Sequence, residues 1–231
     1  MEPELRKYLN DYKYCAEFLS RNLDIDEKFD IIKDIFLFSG YERPVAYTIR
    51  NGKIFINDRM KELLYYVIKD GNLEGLKDGA RFILYHELGH FHGINYKNRR
   101  INSYLENILS ITSEKSNLFN SFPESEATRY ALAKSKNYVN SLAGYTAMEA
   151  FVFMCSVNES LKTLETHFSP ESEKNDAETE YALKKLKSIS GFYLSPYNRK
   201  QIIEKAEKYA DLLESRYTMG LFLHVKSKLH E

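Results

Sequence analysis

The sequence His-Glu-Leu-Gly-His at residues 86–90 restricts what this chain can fold into more than any other feature. Residues four apart lie on the same face of an α-helix, so a helix would place the imidazoles of His86 and His90 where both can bind one metal ion. Glu87 would lie beside that metal, where its carboxylate can take a proton from a water molecule bound to the metal. The pattern therefore predicts a helix that carries a catalytic zinc site.

The residues around this motif favour a buried helix. Apolar side chains precede it at residues 82–85, and Gly93 follows the periodic run, where we expect the helix to end. The alternative is a helix whose two histidines are hydrogen-bonded core residues without a metal. We favour the metal because two imidazoles and a carboxylate are costly to bury on an apolar helix unless a metal or other partners compensate them.

The composition is that of a globular chain and excludes several classes of partner. Its 231 residues suit one domain or two closely packed lobes, and 43% of them are hydrophobic. The 33 acidic and 33 basic side chains cancel, so nothing indicates direct binding to nucleic acid or to an anionic membrane. A charged N-terminus and short apolar runs predict a cytoplasmic protein with no signal peptide and no membrane partner. The two cysteines, Cys15 and Cys155, do not form a disulfide framework.

Hydrophobic periodicity predicts an α+β fold that is predominantly helical, with a small sheet and a helical C-terminal half. Asn51-Gly52 separates two β-type runs at residues 44–49 and 53–57, and this arrangement predicts a β-hairpin. Segments with helical spacing are predicted as helices, and they cover residues 3–20, 26–38, 58–69, 77–92, 123–133, 145–166, 175–188, 197–217 and 219–229. Residues 102–120 are predicted as a weaker helix followed by a polar loop.

A catalytic zinc site needs three protein ligands and an open position for water, so a third ligand must be found. On the helix predicted after residue 123, Glu124 shares a face with small residues that would let this helix approach the motif helix closely. Those small residues are Ala127, Thr128 and Ala131. Glu126 shares its face with bulkier and more polar residues, and we keep it as the alternative ligand. We predict Glu124 as the third ligand and Thr128 as a hydrogen-bond donor to a ligand.

Other interpretations of these residues stay open. Ser121 stands three residues before Glu124, which is the spacing of a capping box, so this carboxylate could serve the helix start instead. The extended zinc pattern H-E-x-x-H-x-x-G-x-x-H matches through Gly93, but Tyr96 stands where the third histidine is needed. His92 falls on another helix face, and we predict no role for it at the metal. The sequence does not choose an oxyanion stabiliser among His167, His224, His230 and Tyr130.

These residues resemble the gluzincin metallopeptidases and, among them, the ImmA/IrrE-type group. Members of this group typically have a hairpin ahead of a helix reading R-F-x-x-x-H-E-x-G-H, and a later segment reading E-x-E-A-N-x-F-A. The matching pieces here are Arg81-Phe82, residues 86–90, the strand at 53–57 and residues 124–131. Thr128 replaces the usual Asn or Asp of the group. The resemblance covers residues 40–135.

The resemblance implies a zincin-like core and a complete metal site. The implied zinc ligands are His86, His90 and Glu124, and the implied general base is Glu87. We predict a metallopeptidase domain over residues 1–140 and a helical region over 141–231, either separate from the first or packed with it as one unit. Such proteins often cleave or antagonise a transcriptional repressor, which suggests a regulatory protein as the substrate.

The sequence therefore predicts a zinc-dependent metallopeptidase that hydrolyses a peptide bond in a protein or peptide substrate. Glu87 would help to deprotonate the attacking water and would then pass the proton to the leaving amine. One alternative is a non-catalytic or structural-metal helical protein that binds a partner protein, because a minimal protease does not need the large helical second half. The other is hydrolysis of a non-peptide bond, which ranks last because H-E-x-x-H is used mostly for peptides.

Overall fold

The computed structural model describes residues 2–32, 46–49, 53–71, 73–95, 121–164 and 196–217. Within these ranges the chain forms seven helices and one three-stranded sheet, so the fold is α+β and predominantly helical, as predicted. In chain order the elements are α1 (Pro3–Asn10), α2 (Tyr12–Leu23), β1 (Asp30–Ile31), β2 (Ala46–Ile49), β3 (Lys53–Ile56), α3 (Asp58–Lys69), α4 (Glu74–Asn95), α5 (Ser121–Ala133), α6 (Tyr138–Leu164) and α7 (Pro196–Arg216).

The helix predicted over residues 3–20 is divided at Asp11. The backbone of this residue is extended (φ −105°, ψ 98°), and its side chain accepts a hydrogen bond of 3.0 Å from the backbone N–H of Tyr14. Asp11 is therefore the N-cap of α2, a position that aspartate favours. The helix ends where Asp24 adopts a left-handed conformation with φ 54°.

The helix predicted over residues 26–38 is wrong wherever the structure describes it. Residues 26–29 are irregular, and the next two residues form β1. Ile31 of this strand lies opposite Ile54 of β3 in a parallel pair. The described apolar residues of this segment thus belong to a strand that pairs with a distant part of the sequence. Residues 33–38 lie outside the described part of the chain.

The predicted hairpin is confirmed. β2 and β3 pair in antiparallel fashion, with Ile49 opposite Lys53, and the strand order in the sheet is β1-β3-β2. The turn at residues 50–52 lies outside the described residues. Side chains on both faces of the central strand β3 are buried, including Ile54 and Phe55. The sheet is therefore covered on both faces at its centre.

The remaining described helices follow the prediction and differ from it at their ends; α4, for example, begins at Glu74, three residues before the predicted start. α4 continues through Gly93 to Asn95, so the predicted helix end is wrong; glycine costs only about 1 kcal/mol inside a helix and does not by itself end one. α6 begins at Tyr138, before the predicted residue 145, because the side chain of Asn137 accepts hydrogen bonds of 3.1 Å from two backbone N–H groups in the first turn. The helices predicted at 102–120, 175–188 and 219–229 lie outside the described residues.

The motif helix α4 lies at the centre of the described fold. It packs against α2, α3, α5, α6 and β2, while α6 also packs against α7. Where α4 crosses α6, a methyl group on Gly79 would collide with the backbone of Gly144. Glycine at this crossing therefore lets the two helix backbones come into contact.

The second half of the chain is joined to the first through α6. This helix spans the predicted boundary at residue 140 and contacts both α4 and α7. The division into 1–140 and 141–231 stays a prediction.

Cys15 and Cys155 are buried thiols, and burial raises the pKa of Cys15 to about 12. None of the described helices combines the length and the hydropathy that crossing a membrane requires.

Candidate metal centre

One turn of α4 brings His86 and His90 together. Their Nε2 atoms are 3.2 Å apart, and the planes of the two rings are at 87°. Two imidazole nitrogens at the usual Zn–N distance in a tetrahedral site are separated by about 3.3–3.4 Å. The separation of the two nitrogens is therefore close to that of two imidazoles bound to one zinc ion.

The start of the motif is buried, as its apolar neighbours predict, while His90 is half-buried. His86 is 5% exposed and Glu87 is 6% exposed. The ring of Phe82, one turn earlier on α4, stacks on His86 with 6.0 Å between the ring centroids. Little of His86 and Glu87 is exposed to water, so interactions of these two side chains with a metal would be stronger than at the surface.

Helix α5 approaches the motif helix as closely as the sequence predicts. A methyl group on Gly89 would lie 2.8 Å from both the Cα and the carbonyl oxygen of Ala127, so no larger residue fits at Gly89 without a shift of α5. Ala127, Thr128 and Ala131 are fully buried. The face of small residues on α5 is therefore the face that packs against α4.

Thr128 on this face contacts the first histidine. Its Oγ1 is 3.3 Å from Nδ1 of His86. When Nε2 of a histidine binds a metal, Nδ1 carries the hydrogen and needs an acceptor. Thr128 would then accept this hydrogen bond. The prediction from sequence has the opposite direction, with Thr128 as the donor. In either direction the contact fixes the orientation of the His86 ring.

The position of Glu124 on α5 agrees with a role at the site, although its side chain lies outside the described residues. Glu124 is one turn before Thr128, on the face that packs against α4. Glu126 shares a different face with Arg129 and Tyr130, and Arg129 is exposed. Among the side chains that the structure describes, no group of three His, Cys, Asp or Glu residues could hold a metal ion. The choice of Glu124, with Glu126 as the alternative, stays a prediction.

Several other residues considered from sequence cannot be placed relative to this centre, because they lie outside the described part of the chain. Tyr96, His167, His224 and His230 are not among the described residues, and neither is the side chain of Ser121.

His92 and Tyr130 are described, and both contact Glu27. The Nε2 atom of His92 is 2.6 Å from Oε2 of Glu27, and the hydroxyl of Tyr130 donates a hydrogen bond to Oε1. Burial and this hydrogen bond raise the pKa of Tyr130. His92 is predicted to lie on a different helix face from His86 and His90, and its contact with Glu27 agrees with this prediction.

Tyr145 is a residue of the site that the sequence analysis did not identify. It comes from α6, is 6% exposed, and its ring centroid lies 6.4 Å from that of His86 and 5.3 Å from that of Phe82. Nothing local in the sequence links residue 145 to residue 86. The neighbouring Gly144 was a usable signal, because a glycine inside a predicted helix often marks a close helix contact.

The described centre thus combines a histidine pair with metal-ligand spacing, a buried carboxylate next to it, and a threonine that orients one imidazole. Comparisons with known protein families, curated proteins and solved structures find no match for the chain. Chemically, the two imidazole nitrogens supply part of a ligand set for a divalent cation, and the adjacent Glu87 supplies a carboxylate of the kind that acts as a general base.

Proposed function

We propose that this chain is a zinc-dependent metallopeptidase that hydrolyses a peptide bond in a protein substrate. His86, His90 and Glu124 would hold the zinc ion, and Glu87 would be the general base. The observation that carries the proposal is the 3.2 Å separation of the two Nε2 atoms on a buried helix. The proposed zincin-like core is supported by the hairpin that precedes the motif helix and by the packing of α5 on that helix.

The main competitor is a pair of core histidines that share a hydrogen bond. A hydrogen bond between the two Nε2 atoms would also agree with their 3.2 Å separation, so this distance has to be weighed together with the motif. Two histidines four residues apart on a helix, with a glutamate directly after the first, form the zinc-site pattern. The contact of Thr128 with Nδ1 of His86 is the kind of hydrogen bond that a metal-bound histidine makes through its other ring nitrogen. We therefore favour the metal.

A bound zinc ion would supply two effects, since it would polarise the carbonyl group of the substrate and lower the pKa of water. Glu87 takes the proton from the attacking water and delivers it to the amine nitrogen as the C–N bond breaks. Thr128 and the ring of Tyr145 hold the imidazole of His86 in place. Because these groups are buried, little orientation has to be gained when the substrate binds.

The substrate class rests on the motif and on the resemblance to the ImmA/IrrE-type group. A protein or peptide is favoured because H-E-x-x-H sites act mostly on peptide bonds. A regulatory protein such as a repressor is the more specific proposal. The zero net charge of the chain favours recognition of a protein over direct contact with nucleic acid.

The role of Glu87 is tested by Glu87→Gln, which removes the basic oxygen but keeps the size of the side chain. Wild type and variant, each loaded with zinc, are incubated with a pooled peptide library, and the fragments are identified by mass spectrometry. We expect both proteins to retain zinc and the variant to cleave at least about 100-fold more slowly, since general-base catalysis contributes 10²–10⁴-fold. Glu17→Gln, an exposed position on α2, is the matched control and should cleave like the wild type.

Two results would contradict the proposal. Equal cleavage by the wild type and Glu87→Gln would remove Glu87 from the mechanism. A wild type that binds zinc but cleaves neither the library nor a captured partner protein would favour the non-catalytic protein that binds a partner.

A further inference from the structure

Glu27 connects the two helices that would carry the metal ligands. It lies in the irregular segment between α2 and β1, and its side chain is 19% exposed. One carboxylate oxygen is 2.6 Å from Nε2 of His92 on α4, and the other accepts a hydrogen bond from the hydroxyl of Tyr130 on α5. A single side chain from a third segment thus holds α4 and α5 at the same time.

The neighbouring Asp26 repeats this arrangement. Its carboxylate accepts a hydrogen bond of 2.6 Å from the hydroxyl of Tyr85, which immediately precedes His86 on α4. The same carboxylate lies 3.0 Å from Nζ of Lys134, just after the end of α5. The hydrogen bonds from Tyr85 and Lys134 lower the pKa of Asp26. Residues 26 and 27 therefore contact both helices through four side chains.

These polar contacts supply what the apolar contact between the helices lacks. Gly89 and Ala127 touch through small groups, which allow a close approach but resist sliding or rotation of α5 only weakly. Hydrogen bonds to Tyr130 are directional, and those that involve an ionised carboxylate are about twice as strong as neutral ones. The rotation of α5 about its axis decides whether position 124 faces the histidine pair, because Glu124 and Thr128 share one face.

We propose that Glu27 is a positioning residue for the metal centre: its bonds to His92 and Tyr130 fix α5, which carries the predicted ligand Glu124, against α4, which carries His86 and His90. This inference rests on the proposed function, since it concerns the same site. It assigns no metal to Glu27 itself. The ammonium group of Lys134, 3.6 Å from Glu27 and 3.0 Å from Asp26, already provides the cation for these two carboxylates.

The test uses Co²⁺ in place of zinc, because its visible absorption reports the number and geometry of its ligands. The full chain is prepared as wild type, Glu27→Gln, Tyr130→Phe and the double variant, with Glu17→Gln as the control. Co²⁺ affinity is measured by competition with a chelator, the absorption spectrum is recorded at saturation, and urea unfolding is followed for each metal-free protein. A purely structural residue would change the unfolding midpoint and leave the spectrum of the folded, saturated protein unchanged.

We expect Glu27→Gln to weaken Co²⁺ binding about 10–100-fold, the range for groups that orient metal ligands, and to shift the spectrum. Tyr130→Phe should change the spectrum in the same direction, and the double variant should lose less affinity than the product of the two single effects. If Glu27→Gln does not fold, the same prediction is read from Tyr130→Phe. Wild-type affinity and spectrum in these variants would overturn the positioning role while the metal site stands. A wild type that binds no Co²⁺ would overturn the proposed function and this inference with it.

Discussion

At the scale of single residues, His86 is held from three directions. Thr128 contacts its Nδ1 atom, Phe82 stacks on its ring from the same helix, and Tyr145 stacks on it from α6. A ligand whose ring cannot turn loses little conformational freedom when it binds a metal. The metal proposal therefore includes preorganisation, because contacts that form on folding already hold the His86 ring in one orientation before a metal binds.

A buried carboxyl on α3, that of Glu62, makes the stability of the fold depend on pH. Glu62 on α3 is 3% exposed, and burial, together with the charge of Asp58 one turn before it, raises its pKa to about 7. In the unfolded chain this group has its ordinary pKa, so between pH 4.5 and pH 7 the folded state binds a proton that the unfolded state releases. Glu62 therefore contributes a loss of stability as the pH rises through this window.

The variant Glu62→Gln tests this contribution, because glutamine keeps the shape and cannot ionise. We expect the difference in the free energy of unfolding, variant minus wild type, to increase between pH 5 and pH 8 by at most about 3 kcal/mol. Urea unfolding at the two pH values measures this difference. The same difference between variant and wild type at both pH values would show that the pKa of Glu62 is not raised on folding.

The sequence could single out candidate residues that local spacing brings together, and it missed candidates that come from distant parts of the chain. His86, Glu87 and His90 follow from a helical spacing of four residues, and that helix is present, with His86 and Glu87 buried. Tyr145 and Glu27 reach the same region from positions about 60 residues away along the chain. Their roles depend on how α6 and the segment before β1 pack, which no local pattern records.

At the scale of elements, the contact between α4 and α5 depends on the absence of a side chain at Gly89. A methyl group there would lie 2.8 Å from the backbone of Ala127, and a backbone cannot move aside as a flexible side chain can. Because Thr128 and position 124 are on the same helix, a displacement of α5 would move both away from His86.

We therefore expect Gly89→Ala to lower the free energy of unfolding by about 1–3 kcal/mol, as overpacking of a core does, and to weaken zinc binding. Gly71→Ala is the control, since nothing lies within 4 Å of a methyl group at that position. Urea unfolding and competition with a zinc chelator measure the two effects. Unchanged stability and unchanged zinc affinity in Gly89→Ala would show that α5 does not set the geometry of the site.

Elements were predictable where a local signal exists. Asn51-Gly52 predicted the hairpin, and both strands are present. β1 was not predicted, because its two residues are in a strand only through their pairing with β3. Gly93 was a false end signal, since α4 continues past it. Glycine allows a helix to end, while the packing around the helix decides whether it does.

At the scale of the whole molecule, the site is assembled from distant parts of the chain. The segment at residues 26–27, helix α4, helix α5 and helix α6 each contribute a side chain that is described around the histidine pair or the Glu27 contacts. The helical second half is thus connected to the centre through Tyr145. The sequence predicted this half as helical but could not place it, because its packing depends on contacts such as that of Gly79 with Gly144.

The measurement that tests the central claim most directly is the metal content of purified protein, by native mass spectrometry, for wild type, Glu124→Ala and Glu126→Ala after zinc is supplied. We predict about one zinc per chain in the wild type, a large loss in Glu124→Ala and retention in Glu126→Ala, since the site requires three protein ligands. Full zinc in Glu124→Ala with loss in Glu126→Ala would move the third ligand to Glu126. A wild type that takes up no zinc would contradict the account and identify His86 and His90 as core histidines.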